Sequence, residues 1–152
     1  MRRFFRRFQR DESGSIVLVE FGLVLPMLIM VMFAALHFVR AYYIMHNLVA
    51  AVREGARFAA VQPQIWDPGT GAPLPAVETS VENVVRNFYA PFGAPQLTPA
   101  QISILPRDGA NPDFVTVRVA NYTAVNAVFG WNITYNRQAT FRWEQSPAPP
   151  AP

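Results

Sequence analysis

The sequence predicts an α+β fold in a single-pass membrane protein. A long N-terminal helix, half in the membrane and half amphipathic, packs on a small antiparallel sheet with one further helix. Three observations predict it. Residues 16–39 are apolar apart from Glu20 and His37. Residues 41–61 keep a helical repeat but separate polar from apolar positions. Beyond residue 101 the chain alternates with period two. The 152 residues suit one domain of ordinary size. A hydrophobic content of 51% fits one span plus a modest head.

The first segment, residues 1–14, is a basic leader. Arg2, Arg3, Arg6, Arg7 and Arg10 stand against Asp11 and Glu12, a net of +3. The whole chain also has a formal charge of +3, so the remainder balances to zero. The basic charge therefore belongs to the leader. A spread basic footprint, which nucleic-acid binding needs, is missing, and no nucleic-acid partner is expected. Five arginines before the apolar run, against Arg40 just after it, orient the N-terminus to the cytoplasm and the head outside it.

Residues 15–39 form the membrane half of the helix. At about 1.5 Å per residue, positions 16–39 span about 36 Å, against a hydrocarbon core of about 30 Å. A secretory signal has a shorter apolar region and a small-x-small cleavage site. Met32-Phe33-Ala34 is a poor one, so a retained anchor in contact with lipid is expected. Pro26 has no amide hydrogen to give the carbonyl of Gly22, and Gly22 is a weak helix former. That pair predicts a kink or a loosened turn.

Residues 40–61 form the amphipathic half outside the membrane. Ile44, Leu48, Val52, Ala56 and Ala59 recur along one face; His46, Asn47, Arg53, Glu54 and Arg57 recur along the other. No proline intervenes, so one helix is expected from about Ile16 to about Val61. Residues 62–75 hold Pro63, Pro68, Pro73, Pro75, Gly69 and Gly71, and read as a linker or long loop. The α+β head follows over residues 76–145. Val77, Val81, Val84, Val85 and Phe88 mark its helix, with Thr79 and Glu82 as a capping box if it starts late. Ile102 to Leu105, Phe114 to Tyr122 and Ile133 to Trp143 are the candidate strands. Val115, Val117 and Val119 share one face of the second. A head this small lacks a core of its own, and the apolar face of residues 44–59 is its natural lid. Residues 146–152 form a Pro/Ala tail expected to be disordered.

Catalytic chemistry finds little support. The chain has no cysteine, which excludes disulfides, thiol nucleophiles and cysteine metal sites. His37 and His46 do not share the i,i+4 spacing of a zinc pair. No Gly-rich phosphate loop or G-x-S-x-G elbow occurs. No enzyme activity, cofactor or metal is expected. Glu20 stands apart. A charged acid at mid-bilayer costs about 2.5–3.5 kcal/mol, and less near the interface. Either Glu20 snorkels or is protonated, or a cation on a neighbouring subunit satisfies it. Cleavage just upstream would create such a cation, a new α-amino group.

Three stretches carry a family resemblance: Val19-Glu20-Phe21-Gly22-Leu23-Val24-Leu25-Pro26, Arg40-Ala41-Tyr42-Tyr43, and Ala51-Val52-Arg53-Glu54-Gly55-Ala56-Arg57-Phe58-Ala59-Ala60. They resemble the TadE-like proteins of bacterial Tad (Flp) pilus systems. Ala139-Thr140-Phe141-Arg142-Trp143-Glu144 is similar to the family's closing strand. The resemblance implies a prepilin-type leader cut by a prepilin peptidase. It implies a pseudopilin, or minor pilin, that assembles adhesive Flp-type type IV pili from the bacterial inner membrane. The implied partners are that peptidase, other pilins or pseudopilins and the inner-membrane assembly platform. Incorporation into surface pili is left open. By position, Gly14 and Ser15 form the processing site, Glu20 with Phe21 the subunit-docking position, and Gly22 and Pro26 the flexible turn. The family's pattern has four residues between the glycine and the acid, and here Ser15 to Val19 are five. Two bonds therefore fit, Gly14 to Ser15 or Ser15 to Ile16, and the glycine favours the first. The alternative is an uncleaved, membrane-tethered binding domain or adhesin of the envelope with no filament role.

Overall fold

The computed structural model describes residues 12–89, 94–110, 112–125 and 132–144. The leader arginines and the 146–152 tail lie outside the described residues. The chain divides into two compact units, residues 1–40 and 41–152. The elements in order are helix α1 (Glu12–Ala60), helix α2 (Pro75–Phe88) and strands β1 (Ile102–Ile104), β2 (Phe114–Val125) and β3 (Asn132–Arg142). Among the described residues, one helix is long and apolar enough to cross a membrane, followed by one further α-helix and a three-stranded antiparallel sheet.

In the first unit, residues 16–36 of α1 are exposed all round. A helix that is apolar on every face has no protein core to enter here, and lipid is the solvent that suits it. The helix runs unbroken through Pro26.

In the second unit α1 becomes a core element. Ile44, Leu48, Val52, Ala56 and Ala59 are each at most 3% exposed. Their spacing of three or four places them on one face. Arg57 in the last turn complements the negative end of the helix dipole. The helix stops at Ala60, where Gln62 N donates to Ala59 O at 3.1 Å. Pro63 follows and disfavours a further helical residue before it.

The Pro/Gly stretch after α1 is a packed loop of this unit. Ile65 and Trp66 lie in the core. Trp66 pairs with Pro73 in an antiparallel bridge. Gly71, at φ +66°, closes the turn by donating to Asp67 O at 2.8 Å. Only glycine adopts that conformation without strain. Thr70 Oγ1 donates to Asp67 Oδ2 at 2.8 Å, and this bond, then that from the Gly69 amide, holds the Asp67 carboxyl below its usual range.

Helix α2 begins at Pro75, earlier than the late start that a Thr79–Glu82 capping box requires. Proline suits the first helical positions because its missing N–H has no partner there. Thr79 is therefore inside the helix, with its Oγ1 donating to Pro75 O at 2.9 Å. Val81 and Val85 are fully buried, and they approach α1 at Gly55. A Cβ on Gly55 would collide with Val85 Cγ2. The glycine thus sets how closely the two helices pack.

The sheet order is β1-β2-β3. Val117 faces Ile104 on one side and Ala139 on the other. Val115, Val117 and Val119 are fully buried, and the inward phase then shifts to Tyr122 and Ala124. The register slips between Val119 and Tyr122. Asn121, at φ 55°, takes up the extra residue, and its amide donates to Asn136 Oδ1 at 2.8 Å. A bulge of this kind moves an alternating strand into its other phase. It brings Tyr122 into the core, where its hydroxyl accepts from Tyr89 Oη and donates to Pro95 O, both at 2.7 Å. Burial, and then the bond to Tyr122, pushes the Tyr89 hydroxyl far above the usual phenol range.

Two outcomes follow for the full chain in detergent. Tyr122→Phe leaves both Tyr89 Oη and Pro95 O without their partner and costs about 1–3 kcal/mol, whereas Tyr89→Phe costs about 1 kcal/mol. Because the Tyr89 pKa is raised on folding, its stabilisation is complete below pH 10 and falls as pH rises further, when the unfolded phenol ionises. Thermal melts from pH 8 to 11 check this, with a shallower alkaline decline in Tyr89→Phe. Separately, Gly55→Leu overpacks the helix crossing and lowers stability by about 1–3 kcal/mol. A smaller loss for Gly55→Ala in a Val85→Ala background than in the natural chain would confirm the contact.

Candidate functional site

Glu20 sits on the exposed apolar part of α1. One turn away on either side lie Ile16, Val17, Leu23 and Val24, so its own helix offers no cation at i±3 or i±4. The carboxylate lies about 6 Å inside the apolar run, measured from Ile16 at 1.5 Å per residue. At that depth its charge is costly unless it reaches the interface or meets an opposite charge from outside the chain. Phe21 beside it is 62% exposed. A Cβ on Gly22 would meet nothing within 4 Å, which leaves backbone open to an approaching helix. Pro26 lies on the same helical face one turn on. The backbone at Gly14 and Ser15 is in the first turns of α1, where helices fray. The structure thus places all six sequence-predicted positions on one helix.

Past the apolar run, Tyr42 and Tyr43 are exposed, as aromatics at a membrane–water boundary commonly are. Arg53 and Arg57 are exposed, with Glu54 half-buried between them. Gly55, in the same motif, is buried against α2. The sequence shows it as part of the family stretch and gives it no packing role. The available signal was a glycine kept inside a helix, where alanine is about 1 kcal/mol better.

Sequence reading passed over a groove in the 41–152 unit. It measures about 730 Å³ and is lined by Pro63, Pro68, Trp66, Trp143 and Arg107, among others. The two indoles meet edge to face, 5.6 Å between centroids. Trp66 Nε1 donates to Leu105 O at 3.3 Å and Trp143 Nε1 to Gln62 O at 2.8 Å. The Arg107 guanidinium lies 5.8 Å from the Trp66 ring centroid, and its Nε donates to Pro112 O at 3.3 Å. These residues come from the loop, the β1–β2 connection and the end of β3. Only the tertiary fold gathers them.

Fold and site together define a class: an α+β head whose first helix also supplies a membrane-length apolar segment bearing one acid. Residues 16–57 match the family model described as TadE-like protein. The resemblance read from the sequence therefore holds over that stretch, which contains Glu20, Phe21, Gly22, Pro26 and the Arg53-to-Arg57 motif. No curated protein and no solved structure matches the chain.

The chain has no native cysteine, so single-cysteine variants report cleanly on the apolar segment. In opened membranes, Leu28→Cys is expected to resist an aqueous maleimide until detergent is added, while Arg53→Cys reacts at once. Equal labelling rates would show that residue 28 lies in water.

Proposed function

We propose that the chain is a pseudopilin, or minor pilin, required to assemble Flp-type (Tad) type IV pili. A prepilin peptidase removes the arginine leader at the Gly14–Ser15 bond, or one residue later. The new α-amino group has an ordinary pKa of about 7.7–8.0 and is largely protonated at neutral pH. On an adjoining subunit it meets Glu20. Offsetting two parallel helices by about 7.5 Å, the rise of the five residues from Ser15 to Glu20, sets amine against carboxylate. In a low dielectric such a pair fixes axial register more than it adds stability. Gly22 and Pro26 give the helix a place to bend as the subunit leaves the bilayer. The head stays outside the cytoplasm, and the inner-membrane platform and other pilins are the partners.

The observation that carries this reading is an exposed acid on a membrane-length helix, inside a segment that matches the TadE-like family. The charge finds no partner on its own helix face, and assembly supplies one.

Mass spectrometry of the N-terminus from native membranes tests the processing step, with Ser15 or Ile16 expected first. A retained arginine leader would favour the uncleaved envelope tether instead. Glu20→Ala is expected to insert at normal levels and to abolish piliation, seen by electron microscopy of the cells. Normal pili in that variant would remove Glu20 from the assembly.

A further inference from the structure

We propose that the outer edge of β3 takes up a further strand from another polypeptide, one that sets an acid opposite Arg137 and apolar residues opposite Ile133 and Phe141. The inference does not rest on the pseudopilin reading.

The two edges of the sheet differ. β1 is three residues long, lies between Pro99 and Pro106, and packs beside α2. Short or covered edges are how sheets avoid unwanted pairing. β3 runs for 11 residues without proline or glycine. Among the described residues no strand lies beyond it. The bulge at Asn121 belongs to β2, so β3 itself alternates without a break. Its backbone direction follows from one bond. Leu105 N donates to Thr116 O at 2.9 Å. Thr116 therefore turns its backbone groups to β1, and Val115 and Val117 turn theirs to β3. Their partners Phe141 and Ala139 point back at β2. Alternation then leaves Asn136, Gln138 and Thr140 with N–H and C=O directed outwards. Trp143 N, which donates to Asp113 O, fits the same phase.

The side chains define the strand that fits. Ile133, Tyr135, Arg137, Ala139 and Phe141 stand opposite the inward residues of β2. Tyr135 is buried, but Ile133 is 39% and Phe141 37% exposed. The apolar layer thus reaches the edge only partly covered. Between these two lies Arg137, half-buried opposite Val119. Its Nη1 donates to Asn136 O at 2.9 Å. That carbonyl is directed outwards, so the guanidinium sits at the open edge. Among the described residues this local bond is its only one, and no acid pairs with it. An inward charge on an edge strand resists pairing, but selectively. A second copy is the partner it resists. An antiparallel β3–β3 pair that sets Ile133 against Phe141 of the other copy also sets Arg137 against Arg137. Like charges directly opposite are destabilising and opposite charges stabilising. A strand with an acid at that place removes the repulsion. Arg137 then turns to the acid and leaves Asn136 O to an incoming N–H. Strand addition of this kind draws affinity from main-chain bonds and specificity from alternate side chains.

The test uses the full chain in detergent and two synthetic peptides. Both alternate valine with threonine and are long enough to run from Ile133 to Phe141. One carries glutamate at its centre and the other lysine. The glutamate peptide is expected to slow amide hydrogen exchange at Gln138 and Thr140, read by NMR. It is also expected to bind about tenfold more tightly than the lysine peptide. Methylating the glutamate peptide's amides on the edge that meets β3 is expected to abolish both effects. Arg137→Glu is expected to reverse the preference, and Arg137→Gln, which removes only the charge, to level it. No slowing by either peptide would overturn the proposal. Equal affinity of the natural chain for the two peptides would overturn it as well, since charge would then select nothing. Slowing at Gln138 and Thr140 in the chain alone, growing with its concentration, would overturn it by assigning the edge to a second copy.

Discussion

The head depends on one stripe of apolar side chains, residues 44–60 of α1. A three-stranded sheet has a single inward face, here Ile102, Ile104, Val115, Val117, Val119, Tyr122 and Ala124. Left in water, each large side chain on that face would forfeit about 1.5–3 kcal/mol of burial. Among the described residues the sheet has no second sheet to pack on. The long helix supplies the missing layer, and α2 completes it by laying Val81 and Val85 against the α1 backbone at Gly55.

The same helix carries two apolar surfaces of similar composition with opposite surroundings. Leu23 and Leu28 are more than 60% exposed, while Leu48 is fully buried. Protein covers the latter; the former are left for lipid or for other helices. Glu20 belongs to the first surface, where its charge is costly, and Arg53 and Arg57 belong to the water-facing side of the second. A single secondary-structure element thus joins a segment suited to a bilayer with the core of the head.

Polar groups inside the head close its loops. The Tyr89–Tyr122 pair holds the chain after α2, and Tyr122 also ties the Pro95 carbonyl. The two indole N–H groups tie β3 and the Pro/Gly loop to neighbouring carbonyls. No buried side-chain nitrogen or oxygen among the described residues lacks a partner. Such bonds add about 1 kcal/mol each, but leaving one unmade costs more, so they specify which loops meet.

Periodicity alone determined the elements of this protein. A helix presents every third or fourth residue to one side and a strand every second, so the stripe at 44–59 and the Val115-Val117-Val119 face could be read directly. The membrane-length run and its acid were equally legible, because hydropathy and charge are local properties. Three things waited for the tertiary structure. The phase shift at Asn121 was hidden, since one inserted residue in a positive-φ conformation leaves no compositional mark. The start of α2 at Pro75 was ambiguous, because a proline reads both as a breaker and as a first helical residue. The groove of Trp66, Arg107 and Trp143 was invisible, because its walls lie far apart in the chain and only packing against α1 brings them together.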